Sequence, residues 1–297
     1  MNKFVDIVRR INKIKIVEVG ARDGLQNEKV LSKDIRINFI NKLSDCGFKQ
    51  IEVGSLVKLE SMQDSDKVFT AIKKNLKTEY PLLVLNKKGA YKAANINAKH
   101  ISIVISPSDT FCQKNMGKSI LDLKNQISEI IKIAKANNIK VRGYISTIAD
   151  CPYEGLISHK KVAELTDYLI NLGCYQISLG DTTGKAKQSQ IENIIEEIKL
   201  KNISTNKLAG HFHDTYGNAL NNVIISINHG IETFDTSIAG LGGCPFAPGA
   251  SGNLATQKLI KFLNNNQIDI DLDKEKINQT SDYICQVLGK EKYPIII

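Results

Sequence analysis

Tryptophan is absent from the 297 residues, and aromatic residues make up only 6% of the chain. Lysines and arginines are scattered, with no basic run longer than a pair. A surface that reads nucleic acid shows a clustered basic stripe with interleaved rings, and that pattern is missing. The six cysteines, Cys46, Cys112, Cys151, Cys174, Cys244 and Cys285, form no Cys-x-x-Cys pair and are irregularly spaced. In a chain of this length they suggest neither a disulfide framework nor a thiolate zinc site. No apolar run approaches a membrane span. The opening stretch MNKFVDIVRRINKIKIVEVG is charged throughout and lacks the apolar core of a secretion signal. The expectation is a cytoplasmic enzyme or binding protein with no nucleic-acid and no membrane partner.

What the chain does have is positive charge. Its 40 Lys and Arg against 31 Asp and Glu leave a formal charge of +9, which favours anionic partners such as a nucleotide-bearing cofactor or a polycarboxylate. With 42% hydrophobic residues it can bury one large core.

Short β-branched runs recur at 14–20, 50–55, 81–85, 100–106, 139–146, 174–181, 207–214 and 232–240. Between them lie segments with helical spacing. Ile37, Ile40 and Leu43 recur at three-residue steps before Gly47, and Leu123, Ile127, Ile130, Ile131 and Ile133 fall largely on one side. KKVAELTDYLINLG and IENIIEEIKLKN behave likewise. Strand then helix, eight times, predicts an α/β protein of the (β/α)8 TIM-barrel class rather than an open doubly wound sheet. The whole of 1–297 reads as one catalytic domain. Its tail, from about 265 to 297, is a helical extension carrying Tyr283, Ile284 and Val287.

Chemistry in this fold sits at the carboxyl ends of the strands, and the unusual polar residues fall there. Arg22 and Asp23 follow the first strand, Glu52 lies on the second, and Arg142 and Tyr144 close the fifth. Asp181 ends the sixth, His211 and His213 end the seventh, and Cys244 and Asn253 lie in the glycine-rich loop after the eighth. On a strand, i and i+2 share a face, so His211 and His213 point the same way. With Asp23 and Asn253 they make two imidazoles, a carboxylate and an amide. That set suits Mg²⁺ or Mn²⁺ and leaves room for substrate oxygens, although Zn²⁺ or Co²⁺ would also fit. Asp214 points to the other face and reads as structural. Arg22 is either half of an ion pair or a stabiliser of a developing enolate oxygen. Glu52 and Asp181 read as groups that orient Arg22 and the ligands. Cys244, in a flexible loop at the active face, is a candidate acid or base.

Together, VEVGARDGLQNEK, GHFHDTYGNAL and GLGGCPFAPGASGNLAT resemble the signature segments of 3-hydroxy-3-methylglutaryl-CoA lyases. These are metal-dependent lyases within a barrel superfamily that also contains Claisen-condensing enzymes. Intermediate stretches such as IEVGSLV, YISTIADCPYEG and ISLGDTTG look similar, so the resemblance covers nearly the whole chain. It implies a homodimeric barrel using Mg²⁺ or Mn²⁺ that splits 3-hydroxy-3-methylglutaryl-CoA into acetyl-CoA and acetoacetate, as in leucine degradation. By the resemblance Asp23, His211, His213 and Asn253 match metal ligands. Arg22 matches the stabiliser of the thioester enolate, and Cys244 the loop cysteine that moves a proton. Glu52 and Asp181 match acidic active-site residues. Lys29, Asn86 and Lys88 are candidate contacts for the CoA phosphates. Two departures stand out. Ala21 replaces a frequent proline before Arg22, and Gln257 with Lys258 replaces a usual acidic pair.

Three alternatives remain open: a Claisen-type condensation of acetyl-CoA with a 2-oxo acid, as in isopropylmalate or homocitrate synthases; a lyase for a related 3-hydroxy-acyl-CoA; and a metal-dependent aldolase or decarboxylase. The cysteine loop favours the lyase. A non-catalytic acyl-CoA-binding barrel would need none of Asp23, His211, His213, Asn253 and Cys244.

Overall fold

The computed structural model describes residues 14–57, 59–243, 252–268 and 270–296. Each of the eight β-branched runs contains strand. β1 is Lys15–Glu18, and the run 50–55 carries two short strands, β2 (Gln50–Ile51) and β3 (Gly54–Ser55). β4 (Leu82–Leu83), β5 (His100–Ile105) and β6 (Lys140–Ile145) follow. A hairpin of β7 (Asp150–Cys151) and β8 (Gly155–Leu156) comes next, then β9 (Gln176–Asp181), β10 (Leu208–Phe212) and β11 (Thr233–Thr236). The hairpin is an addition that the strand–helix repeat did not announce.

The main sheet is parallel, in the order β2-β1-β11-β10-β9-β6-β5-β4-β3. Its two ends are arms of one run. Glu52 N donates to Glu18 O on one side at 2.9 Å, and Val53 N donates to Pro81 O on the other at 3.0 Å. The second strand therefore hydrogen-bonds to both neighbours and the sheet closes, giving the expected eight-membered TIM barrel.

Helices alternate with the strands: α1 (Lys33–Asp45), α2 (Ser65–Ala71), α3 (Lys87–Asn95), α4 (Asp109–Met116) and α5 (Ile120–Ala136), then α6 (His159–Leu172), α7 (Gln188–Lys199), α8 (Ala219–Asn228), α9 (Thr256–Asn265) and α10 (Lys274–Leu288). Local chemistry sets their ends. Ser32, Ser108 and Ser119 accept backbone N–H groups at the starts of α1, α4 and α5, and Gly173 at φ +113° stops α6. The buried stripe of α5 is the one the spacing predicts. On α1 it is Arg36, Phe39, Ile40 and Leu43, with Ile37 only half-buried, because the Arg36 guanidinium turns inward to Ser65 and the Gln63 carbonyl. In the tail, α10 packs on α1 and buries Ile277 and Ile284. No helix among the described residues is long and apolar enough to cross a membrane.

Two kinds of core result from the strand alternation. Outward residues such as Ile101, Ile103, Ile177, Leu179 and Phe234 join helix residues in one apolar shell. The inner face is polar. Arg142 on β6 reaches Asp235 on β11 at 2.7 Å although two strands lie between them in the sheet, so both side chains cross the barrel interior. Ser102, Ser178 and Glu52 are buried there too.

Candidate active site at the carboxyl ends of the strands

A cavity of about 420 Å³ opens at the carboxyl ends of the strands. Arg22, Asp23, Tyr144, His211 and His213 line its polar side, and Leu83, Leu85, Val104, Phe111 and Met116 its apolar side. A cavity of this size with a few converging polar groups suits a small ligand or the reactive end of a larger one.

Arg22 and Asp23 sit on a single π-helical turn, Gly20–Gly24, closed by a bond from Gly24 N to Val19 O at 3.1 Å. Glycine is needed at both ends of the turn. A Cβ on Gly20 would lie 2.5 Å from Glu18 Oε1, and one on Gly24 would lie 2.7 Å from Ser237 Oγ. Ala21 packs inside the turn, 1% exposed, so the missing proline leaves no gap there. The turn aims Arg22 at two carboxylates. Its Nε donates to Glu52 Oε2 at 2.6 Å and its Nη1 to Asp23 Oδ1 at 2.6 Å. Burial opposes the guanidinium charge, but Glu52 and Asp23 outweigh it and hold Arg22 above the usual arginine range. Asp23 is only half-buried, and although its desolvation acts to raise the carboxyl, Arg22 and then the two histidines pull it well below the usual range.

The i, i+2 reading of the histidines holds: both line the same cavity, with ring centroids 5.4 Å apart. His211 Nε2 lies 3.9 Å from Asp23 Oδ2, too far for a direct hydrogen bond. Ligand atoms of Asp23, His211 and His213 all lie within 4.8 Å of one another. Asn253 pairs with His213 in an antiparallel bridge. Its Nδ2 donates to Asp23 Oδ2 at 2.7 Å and to Leu241 O at 3.1 Å, so its amide oxygen is the atom a cation could use. His213 Nδ1 is buried without a partner among the described residues, and burial, with His211 beside it, pulls this imidazole down to about 4. A buried neutral imidazole with an unmatched nitrogen, facing an ionised carboxylate, fits a divalent cation.

The other expected residues divide. Glu52 does orient Arg22, while also accepting from Ser102 Oγ and, at 3.4 Å, from Tyr144 OH. Asp181 bonds to neither Arg22 nor the histidine side chains. It accepts Gly184 N at 3.1 Å and Ala186 N at 3.0 Å, pinning its own loop, and burial raises it to about 6. Asp214 anchors Lys258 and the start of α8, which accounts for the lysine in place of an acid. Gln257 Oε1 accepts Ala239 N at 3.0 Å. Lys29, Asn86 and Lys88 are exposed beside cavity residues Asn27 and Leu85, and Asn86 caps α3. Cys244 lies outside the described residues. Arg142, expected at a strand end, is instead buried in the middle of β6.

Sequence reasoning missed two carboxylates. Asp235 Oδ2 meets His211 Nδ1 at 3.3 Å and also accepts Ser178 Oγ at 2.7 Å. Glu18, on the outer face of β1, accepts Gly20 N at 2.8 Å, Ile238 N at 3.0 Å and Thr256 Oγ1 at 2.8 Å. Their signal was a lone acid inside a β-branched run.

A family model described as HMGL-like matches residues 13–284. The chain is 42% identical over 281 residues to the cytoplasmic 3-hydroxy-3-methylglutaryl-CoA lyase of Rattus norvegicus, covering 93% of this chain and 82% of the relative. It is 41% identical over 282 residues to the mitochondrial hydroxymethylglutaryl-CoA lyase of Gallus gallus, covering 94% of each. An HMG-CoA lyase structure from Acinetobacter baumannii, in complex with coenzyme A and 3-methylmalate, superposes with a TM-score of 0.89 at 35% identity, covering 99% of this chain and 95% of that one. Matched from its first strand to its last helix, with the Arg-Asp turn and the histidine pair at one cavity, the chain belongs to the HMGL-like family, among its HMG-CoA lyases.

Proposed function

We propose that this chain splits 3-hydroxy-3-methylglutaryl-CoA into acetyl-CoA and acetoacetate, with Mg²⁺ or Mn²⁺ as cofactor, in one catalytic domain. The observation that carries this reading is the juxtaposition, at one cavity, of Arg22 with the Asp23, His211 and His213 cluster.

The substrate is a tertiary alcohol β to a thioester carbonyl. Its cleavage needs a base for the hydroxyl proton, charge stabilisation at that oxygen, and a cation at the thioester oxygen. A divalent cation held by Asp23, His211, His213 and Asn253 supplies Lewis acidity at the hydroxyl. Asp23 takes the hydroxyl proton, because His211, with one ring nitrogen facing Asp235 and the other facing the cation site, has no lone pair left for it. The C2–C3 bond then breaks, its electron pair passing to the thioester as an enolate while the alcohol carbon becomes the ketone of acetoacetate. Arg22 stabilises the enolate oxygen. Its Nε and Nη1 are committed to Glu52 and Asp23, so Nη2 carries the donors for the substrate. Cys244 returns a proton to the enolate carbon to give acetyl-CoA, a role supported by the resemblance of its loop. Lys29, Asn86 and Lys88 receive the CoA phosphates, a placement supported by their exposure beside the cavity.

The resemblance also supports a homodimer serving leucine degradation. The name of the rat relative supports a cytoplasmic location and that of the chicken relative a mitochondrial one, which cell fractionation decides. The test of the activity is acetoacetate release from 3-hydroxy-3-methylglutaryl-CoA with Mg²⁺ or Mn²⁺, beside an EDTA control and a His211→Ala variant. Release lost in both controls supports the reading. No release by folded, metal-supplied protein rejects it and directs the assay to acetyl-CoA with 2-oxo acids.

A further inference from the structure

The histidine pair is held asymmetrically. His213 Nδ1 has no partner among the described residues, whereas His211 Nδ1 faces Asp235 Oδ2 at 3.3 Å. Asp235 is fully committed as an acceptor. Arg142 grips it with two bonds, Nη2 to Oδ1 at 2.7 Å and Nη1 to Oδ2 at 3.0 Å, and Ser178 Oγ adds a third at 2.7 Å. A carboxylate so engaged has no proton to give, so the contact with His211 requires the hydrogen on Nδ1. The Tyr144 ring stands edge-on to the imidazole, with centroids 5.9 Å apart and planes 80° apart. Strand position, carboxylate and ring edge together leave His211 one orientation.

We infer that Asp235 is a positioning residue, which fixes His211 in the Nδ1–H tautomer and so presents the Nε2 lone pair to the cation site opposite Asp23. In water a neutral imidazole prefers its proton on Nε2, which would block that atom as a ligand. The inference rests on reading His211 as a ligand, and it adds where the ring proton sits and which residue holds it there. Arg142 supplies the countercharge that keeps Asp235 an acceptor. It donates from Nη1 to Tyr144 OH at 2.9 Å as well, so one buried guanidinium supports both the carboxylate and the ring packed on His211. An acceptor behind a ligating imidazole changes cation affinity by about 10- to 100-fold.

The test needs no substrate. Full-length protein labelled with ¹⁵N-histidine contains five rings, and metal-free two-bond ¹H–¹⁵N spectra separate protonated from bare ring nitrogens. A His211→Gln variant assigns the signal. The expected result is His211 protonated at Nδ1 and bare at Nε2, with Nε2 shifting on addition of Zn²⁺. Mn²⁺ affinity, read by paramagnetic resonance of the free ion, should fall about 10- to 100-fold in Asp235→Asn. A wild-type His211 protonated at Nε2 overturns the inference, as does a folded Asp235→Asn variant that binds Mn²⁺ as tightly as wild type. Should that variant fail to fold, the wild-type spectrum alone decides. A chain with the expected tautomer that releases no acetoacetate would refute the lyase reading and leave this inference standing.

Discussion

Glu18 lies behind the turn that carries Arg22 and Asp23, and replacing it with glutamine tests how that turn is held. The carboxyl is 0% exposed. Burial pushes it up from an ordinary 4.5 to about 7, although hydrogen bonds from Ile238, Thr256 and Gly20 pull the other way. Between those two values the folded chain keeps a proton that the unfolded chain has lost, so stability falls as pH rises. The slope is about 1.4 kcal/mol per pH unit, which accumulates to about 3 kcal/mol above pH 7. The glutamine of the Glu18→Gln variant cannot ionise. Its oxygen can still accept from Gly20 and Ile238, and its amide can donate to Thr256 once that hydroxyl turns toward Thr236. The two proteins should therefore unfold alike at pH 4.5 in urea. By pH 8 the Glu18→Gln variant should be more stable by about 1–3 kcal/mol, the lower figure allowing for the lost acceptor. Asp181, also raised by burial, tilts both curves equally and cancels in the difference. A difference that stays flat from pH 4.5 to 8, or a variant that weakens as pH rises, would refute the reasoning.

Removing the Arg22 charge should act mainly on the chemical step. Arg22→Gln is expected to lower kcat by about 10²-fold or more in steady-state assays, since one oxyanion donor contributes about 3 kcal/mol. A normal kcat with raised KM would show uniform binding instead. Lys258→Asp restores an acid at 258 but sets it against Asp214, so its melting temperature should fall below wild type. Lys258→Ala should shift it little, because the Lys258 side chain is 36% exposed and solvent screens the pair. Equal melting temperatures for the two variants would show that Asp214 is neutralised by other means.

Some of this was open to reading because it follows from a period. Two residues apart on a strand means one face, which places His211 with His213 whatever the rest of the chain does. Alternating strand and helix fixes the barrel, and the barrel tells which strand ends to inspect. Asp235 was not readable in the same way. Its inward position depends on register, His211 opposite Asp235 and Val17 opposite Asp235, and register is a property of paired strands. Glu18 escaped because its partners, Ile238 and Thr256, are more than 200 residues away. Asp181 looked like a site acid because it ends a strand. Only the path of the following loop shows that its oxygens are taken by Gly184 and Ala186. Lys258 looked like a defect against the family pattern until Asp214 supplied its partner.

The barrel interior explains why the site should want a cation. Filling a barrel with aliphatic side chains is the usual solution, and a buried ion pair is often no more stable than its apolar replacement. This chain nevertheless places Arg22, Glu52, Arg142 and Asp235 inside, 0–6% exposed, and sets Asp23 above them. Their bonds run in sequence. Asp235 binds Arg142, Arg142 donates to Tyr144, Tyr144 to Glu52, and Glu52 and Asp23 receive Arg22. Counted among themselves, three carboxylates against two guanidiniums leave one negative charge in excess. The carboxylate oxygen that meets no guanidinium is Asp23 Oδ2, which accepts from the neutral Asn253 amide and faces His211 across 3.9 Å. A divalent cation at that point would turn the excess to one positive charge, the sign that both the free carboxylate of the substrate and a thioester enolate require. Pairing, which by itself adds little stability, here serves to hold donor atoms rigid around a deliberately unbalanced charge.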